Sequence, residues 1–273
     1  MPHSLDDVTR SIHSLWPLSG ASDWDASGLV SGDPASPIES ILLAVDAVSD
    51  TVDEAIEANA DLLLSHHPLL LRGVTSIAED RYKGALLSRL IRANCALLAA
   101  HTNADVVTDG VSDILASKIG LQDALPIEPG AASGTGIGRV GRLTEPTTVG
   151  QLARLVADLL PATASGIRVA GDYGARVETV ALCGGAGDSL LAHPAVTGAD
   201  AYITADLRHH PASEAREQVK ITGSGPALLD VSHWASEWIW LDTAATQLRE
   251  ALPGVCVSVS ELRTDPWDFV VMQ

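Results

Sequence analysis

The sequence predicts an α/β fold built from two similar halves, and three observations carry that reading. Short apolar runs alternate with amphipathic stretches, which is the pattern of a mainly parallel sheet with right-handed crossovers. Segments of the first half recur in the second. Ala60-Asp61-Leu62-Leu63-Leu64-Ser65 resembles Ala199-Asp200-Ala201-Tyr202-Ile203-Thr204, and Leu97-Leu98-Ala99-Ala100-His101 resembles the stretch from Leu228 to His233. Two matched strands also end in His-x-x-x-acid, His101 with Asp105 and His233 with Glu237. Shared periodicity alone does not supply that offset. The chain has 273 residues, 46% of them hydrophobic, which is enough for one large core or two ordinary ones.

Residues 4–15 read as an amphipathic helix, with Ser4 as N-cap and Val8, Ile12 and Leu15 at helical spacing. Asp23-Trp24-Asp25 falls in a polar loop. The run 41–45 is a buried strand, and a helix with acids in its first turn opens at Asp50. A strand over 61–65 leads to His66-His67. A helix over 83–93 precedes a strand at 96–100, and another helix fits 109–119. Pro126, Pro129, Gly130, Gly134, Gly136 and Gly138 then break the pattern. The expected organisation is therefore a first half over 1–126, a Gly/Pro linker over 127–138 and a second half over 139–273. In the second half Thr148 and Gln151 form a capping box opening a helix to about 160. Strands fit 167–170, 179–183, 201–204 and 227–231, and helices fit 206–219 and 233–251.

The formal charge of −18 argues against a nucleic acid polymer as partner, because phosphate binding depends on Lys and Arg. No run of about eighteen apolar residues predicts a membrane span. The N-terminal stretch lacks the basic start and apolar core of a signal peptide. Cys95, Cys183 and Cys256 are far apart and set in apolar surroundings, so they read as reduced core residues of a cytoplasmic protein.

The chemistry concentrates at strand ends. Ser65-His66-His67-Pro68 closes a buried strand, and Pro68 ends its ladder. Strand ends are where α/β sheets bind ligands. Neighbours on an extended chain point to opposite sides, so the pair suits two ions, one on each side, better than a single shared one. The alternative is a loop with two solvated histidines. His233 and Glu237 share one face of a helix. Their alternative is a solvent-facing i,i+4 pair. Imidazole and carboxylate together suit Zn, Mn, Fe or Ni far better than Ca. Two-metal sites hold their ions roughly 3.5–4 Å apart and activate a bridging water.

Six motifs define a resemblance. They are Trp24-Asp25 followed by Gly28-Leu29, Ser65-His66-His67-Pro68, His101-Thr102-Asn103-x-Asp105, Gly136-x-Gly138-Arg139-x-Gly141, Gly184-Gly185-Ala186-Gly187 and His233-x-x-x-Glu237. With them the chain resembles the NIF3-like dinuclear-metal proteins, also called the GTP cyclohydrolase 1 type 2 family, from about residue 20 to 268. The resemblance implies two similar interlocked α/β halves with a dinuclear metal site between them. It implies His66, His67, Asp105, His233 and Glu237 as ligands of two divalent ions, with Glu237 bridging. His101 would sit close by, so His101 and Glu237 are the residues expected to act in catalysis. Thr204-x-Asp206 and His210 match a further family motif lining the same cavity. The resemblance also implies a ring-like homo-hexamer, and hydrolysis of GTP's purine ring, a related nucleotide or a phosphoester through a metal-activated water. The other reading is a non-catalytic metal-binding or regulatory scaffold. Ala26-Ser27, Ala205, Ser232 and Ser236 depart from the family pattern without removing a ligand.

Weaker signals resolve differently. Gly136-x-Gly138-x-x-Gly141 matches a dinucleotide fingerprint only in letters, since no strand leads into it and no helix follows. Trp234, Trp238 and Trp240 read as core or subunit-interface residues. Cys183 reads as core, not nucleophile. Arg72, Arg139 and Arg208 are the candidates for holding a phosphate.

Overall fold

The computed structural model describes residues 3–272. In chain order the first elements are β1 (His3–Ser4), α1 (Leu5–Leu15), β2 (Gly28–Ser31), β3 (Pro37–Ile38), β4 (Ser40–Ala44), α2 (Ser49–Glu57), β5 (Leu62–Ser65), α3 (Tyr82–Arg92), β6 (Ala96–Ala99) and α4 (Thr102–Asp105). There follow α5 (Val111–Ile119), β7 (Leu121–Leu125), β8 (Glu128–Pro129), β9 (Gly136–Ile137), β10 (Arg139–Thr148), α6 (Val149–Leu159), β11 (Arg168–Ala170) and β12 (Arg176–Ala186). The last are α7 (Pro194–Thr197), β13 (Ala201–Ala205), α8 (His209–Thr222), β14 (Ala227–Val231), α9 (His233–Trp238), α10 (Leu241–Ala251) and β15 (Cys256–Val259). This is a mixed α/β architecture.

The chain forms two compact units. Residues up to Ala104 together with Leu241–Thr264 form the first; Asp105–Trp240 with the segment from Asp265 onward form the second. The sequence put the division at 127–138, whereas the contacts put it at Ala104/Asp105, with a return to the first unit at Leu241. Residues 127–138 lie inside the second unit. There β8 and β9 pair as a small antiparallel hairpin, and Ile127 is 2% exposed in the second core. Gly and Pro in that stretch shape a turn rather than a flexible connection.

The first unit carries a five-stranded sheet in the order β15-β4-β5-β6-β2. The four strands from β15 to β6 are parallel, and β2 closes the edge antiparallel to β6. Leu62, Leu63 and Leu64 are all buried, each contributing about 1.5–3 kcal/mol relative to exposure. They are apolar without alternation because a parallel strand is covered on both faces. Helix α1 starts as expected: Ser4 Oγ accepts from the Asp7 N–H at 3.1 Å, and the Asp7 carboxylate takes the Ser4 N–H at 3.2 Å. Leu5, Val8, Ile12 and Trp16 are its buried residues, while Leu15 is half-buried.

The second unit carries a six-stranded sheet in the order β11-β14-β13-β12-β10-β7. Only β12, β13 and β14 are parallel; β11, β10 and β7 join antiparallel. The sheet is thus more mixed than the sequence suggested. Strand β10 occupies the supposed dinucleotide fingerprint, so no helix follows those glycines. The helix expected over 233–251 is two helices. The Trp240 N–H closes a tight last turn on the Glu237 carbonyl at 3.0 Å, and α10 then begins in the other unit. No Gly or Pro marks that break. Among the described residues no helix is long and apolar enough to cross a membrane.

The internal echo is architectural. In the first unit the Asp61 carboxylate accepts from the N–H groups of Glu39 and Ser40, each at 2.9 Å. In the second, Asp200 accepts from Glu178 and Thr179 at 2.9 and 2.8 Å. The Asp61 carbonyl takes the Ala96 N–H at 2.8 Å, and the Asp200 carbonyl takes the Ala227 N–H at 2.9 Å. One aspartate therefore ties three neighbouring strands together in each unit. Strand order β4-β5-β6 matches β12-β13-β14.

Candidate metal centre

In the first unit His66, His67 and His101 converge. Each offers a ring nitrogen, and these nitrogens all lie within 4.8 Å of one another. The ring centroids stand 5.1, 5.3 and 5.5 Å apart. The adjacent pair therefore does not point to opposite sides. The chain bends directly after β5: the N–H groups of His66 and His67 still reach the carbonyls of Ala44 and Val45, while Ser65 Oγ donates to the His67 carbonyl at 2.8 Å. An extended-chain rule does not apply to a bend.

Each imidazole is fixed through Nδ1. His66 Nδ1 lies 2.8 Å from the Ala100 carbonyl, His67 Nδ1 2.7 Å from Asp46 Oδ1, and His101 Nδ1 2.7 Å from Asp25 Oδ1. A carbonyl or carboxylate oxygen only accepts, so Nδ1 carries the proton and the Nε2 lone pair is left for an ion. Asp46 is held in turn by Thr264 Oγ1. Burial, then the neighbouring His66, push the His101 pKa down to about 4 against the pull of Asp25. His101 is thus a neutral donor at pH 7. Burial works to raise Asp25, but hydrogen bonds from Thr102, His101 and Ser27 bring it down to about 2.

In the second unit Ser232 caps α9, accepting from the Ala235 N–H at 3.2 Å. The helix places His233 Nε2 3.0 Å from Glu237 Oε1, and His233 Nδ1 lies 2.8 Å from Asp206 Oδ2. Burial lowers the His233 pKa, yet Glu237 and Asp206 reverse this and raise it to about 11. The Glu237 side chain is 4% exposed. Beneath it Gly185 sits at φ +66, where an added Cβ would lie 2.4 Å from Glu237 Oε1 and 3.2 Å from His233 Nε2. The Gly185 peptide is anchored on both sides, its N–H to Ser236 Oγ at 2.9 Å and its carbonyl from Thr204 Oγ1 at 3.0 Å. Asp105 ends α4 and opens this unit, and its charge helps raise Cys183.

The donor set therefore suits divalent metal: a neutral His101 beside two imidazoles with their Nδ1 atoms fixed in one unit, an imidazole and a buried carboxylate in the other. Several expected residues fall elsewhere. Arg139 is 1% exposed, with its guanidinium spent on Asp113 at 2.7 Å and on the carbonyls of Gly136, Gly138 and Val107, so it holds structure rather than phosphate. Arg208 is exposed and paired with Asp188. His210 is exposed against His209, with ring centroids 5.2 Å apart. Cys183 is buried with its pKa pushed up to about 12, an inert thiol as expected, and Cys95 rises to about 11. Cys256 is exposed on edge strand β15, not in a core. Trp234 and Trp240 are buried. Asp46 was missed, because a lone acid after a strand gives no sequence signal.

Strand ends bearing imidazole and carboxylate on a mixed α/β frame define a protein whose side chains could hold a metal ion. The chain belongs to the Duf34/NIF3 (NGG1p interacting factor 3) family, whose model matches residues 3–266. A GTP cyclohydrolase 1 type 2 homolog of Streptomyces coelicolor is 48% identical over 270 residues, covering 96% of this chain and 93% of that protein. A Staphylococcus aureus hypothetical protein superimposes with a TM-score of 0.87 at 26% identity, covering 99% of this chain and all of that one (100%). A Bacillus cereus protein related to NIF3 also reaches 0.87, at 24% identity, covering 98% and 99%.

Proposed function

We propose that the protein is a metal-dependent hydrolase acting on a nucleotide or related compound, with two divalent ions held by His66, His67, Asp105, His233 and Glu237. The observation that carries this is the shared fixing of the three ligand imidazoles, His66, His67 and His233, through Nδ1 by Ala100, Asp46 and Asp206, which leaves Nε2 of each for metal duty. The 48% identical relative named as a GTP cyclohydrolase 1 type 2 homolog supports the substrate class. Bound ions would supply a water of lowered pKa and polarise a substrate oxygen or nitrogen. The chain's own residues do the rest. Glu237 offers two carboxylate oxygens, the number a bridging ligand needs. His101, neutral and fixed by Asp25, orients a neighbouring ligand or the reacting water. We also propose a homo-hexamer; light scattering that finds only monomer over a wide concentration range would refute it.

The test is metal analysis of purified protein joined to a substrate panel of GTP, dinucleotides and phosphodiesters. Up to two ions per chain and turnover that chelation abolishes are expected. His66→Ala and His233→Ala should each lower metal content while circular dichroism stays unchanged. Unchanged metal content in both variants would sink the assignment. Full metal loading with no turnover on any panel member would favour a metal-binding scaffold instead.

A further inference from the structure

The geometry points to Trp24 as a stacking platform for a planar heteroaromatic ring of the ligand, beside the histidine cluster of the first unit. The inference rests on the nucleotide reading above and adds the residue that would recognise the base. Trp24 is 63% exposed, although an indole is among the side chains with most to gain from burial. A single exposed hydrophobic residue needs no explanation by itself. Here the surroundings supply one. The indole meets the His101 ring at 77° with centroids 5.8 Å apart, an edge contact that leaves most of the indole open.

The ring is also held ready. Trp24 lies in the turn Ser22–Asp25, closed by the Asp25 N–H on the Ser22 carbonyl at 2.9 Å. Both ends of that turn are pinned to Thr102. The Ser22 N–H donates to Thr102 Oγ1 at 2.9 Å, and the Asp25 carboxylate accepts from the Thr102 N–H at 3.1 Å and from its hydroxyl. The buried Asp25 carboxylate further accepts from the Ala26 N–H at 2.6 Å, from Ser27 Oγ at 2.8 Å and from His101 Nδ1. One carboxylate thus orients His101 and fixes the backbone under the indole. A surface aromatic on so constrained a turn loses little freedom when a ligand binds.

The charge distribution says which part of a nucleotide is read here. Residues 11–71 and 93–117 build the turn and all three imidazoles, and neither stretch contains a Lys or Arg. A phosphate meets no guanidinium or ammonium from these segments. The contact they offer is aromatic, and every base has a face to give it.

The experiment is calorimetric titration of the full chain with guanosine 5′-monophosphate, and with ribose 5-phosphate as the base-free control. Trp24→Ala should weaken the nucleotide roughly 5- to 150-fold, the range expected for loss of one base–aromatic stack. Trp24→Phe should restore most of the affinity, and ribose 5-phosphate should bind alike to all three proteins. The platform is refuted if Trp24→Ala spares the nucleotide, weakens both probes equally, or is matched by Trp24→Phe. It is also refuted if the wild type does not prefer the nucleotide to the sugar phosphate. The two readings can fail separately. Trp24-dependent base binding without hydrolysis of any panel compound would keep the platform and remove the hydrolase. Metal-dependent turnover and nucleotide affinity that are both indifferent to Trp24→Ala would do the reverse.

Discussion

In the first unit three imidazoles stand together, two backed by carboxylates and one by a backbone carbonyl; in the second, one imidazole stands between two carboxylates. Both arrangements grow from the same β-α-β-α-β frame with the same aspartate clamp, Asp61 or Asp200. The electrostatic results are opposite. His101 is driven down to about 4, and His233 up to about 11. Burial acts downward on both, so the difference lies in the neighbours. His101 faces His66 and has one carboxylate at its back, whereas His233 touches Asp206 and Glu237. A repeated frame therefore fixes where a side chain sits, and the local residues decide its charge. One unit offers oriented imidazole nitrogens, that of His101 neutral. The other offers surplus negative charge, which a proton balances when no cation does.

The largest expected effect breaks the second arrangement. Glu237→Gln keeps the volume and removes the charge, so at least one ion and any hydrolytic activity should be lost with the fold intact. Charge interactions in a poorly solvated site are stronger than in water. His101→Asn should be milder. Metal content and turnover of both variants decide: a Glu237→Gln protein that keeps two ions beside a His101→Asn protein that loses them would reverse the two roles.

Asp25→Asn sharpens the first arrangement. It removes the charge and one of the two oxygens that together accept from His101, Thr102, Ser27 and Ala26, and about a 10- to 100-fold loss in metal affinity or activity is expected. It should also change the acid limb of stability. The folded Asp25 pKa is about 2 against an ordinary 3.8. A depressed carboxylate stabilises the fold above its unfolded pKa, and that contribution disappears as pH falls from about 4 to about 2. Acid titration of both proteins should show this limb in wild type and not in the variant.

Gly185→Ala probes how closely the second arrangement is fitted. The new Cβ at 2.4 Å from Glu237 Oε1 must move backbone or carboxylate, and φ +66 adds strain of roughly 1–3 kcal/mol. Lower metal occupancy and a lower thermal midpoint are expected together; Gly184→Ala, which meets Val111 instead, should spare the metal. The smallest effect tests the shared frame. Asp61→Asn and Asp200→Asn should each cost about 1–3 kcal/mol in denaturant unfolding, since each loses a charged acceptor for strand-end amides. Widely unequal costs would show that the two clamps are not equivalent.

The sequence by itself determined the parallel strands, because doubly covered strands must be continuously apolar, and Leu62–Leu64 and Ala201–Ile203 are. It determined the caps at Ser4 and Thr148, where a hydroxyl and a side chain three residues later serve the same helix end. It also determined the His233–Glu237 pair, since four residues make one helical turn. Tertiary structure decided the rest. The antiparallel strands β7 and β10 are half-exposed, and β10 is interrupted by Gly141 and Pro146, so their partners, not their pattern, make them strands. The bend after Ser65 brought two adjacent imidazoles together where an extended chain would part them. Asp25, Asp46 and Asp206 became the acceptors that set the protons of His101, His67 and His233, and Arg139 was absorbed by carbonyls of its own hairpin. The imidazole–aspartate contacts join residues 21 to 76 positions apart along the chain, the other outcomes turn on local bends, and neither leaves a periodic trace in the sequence.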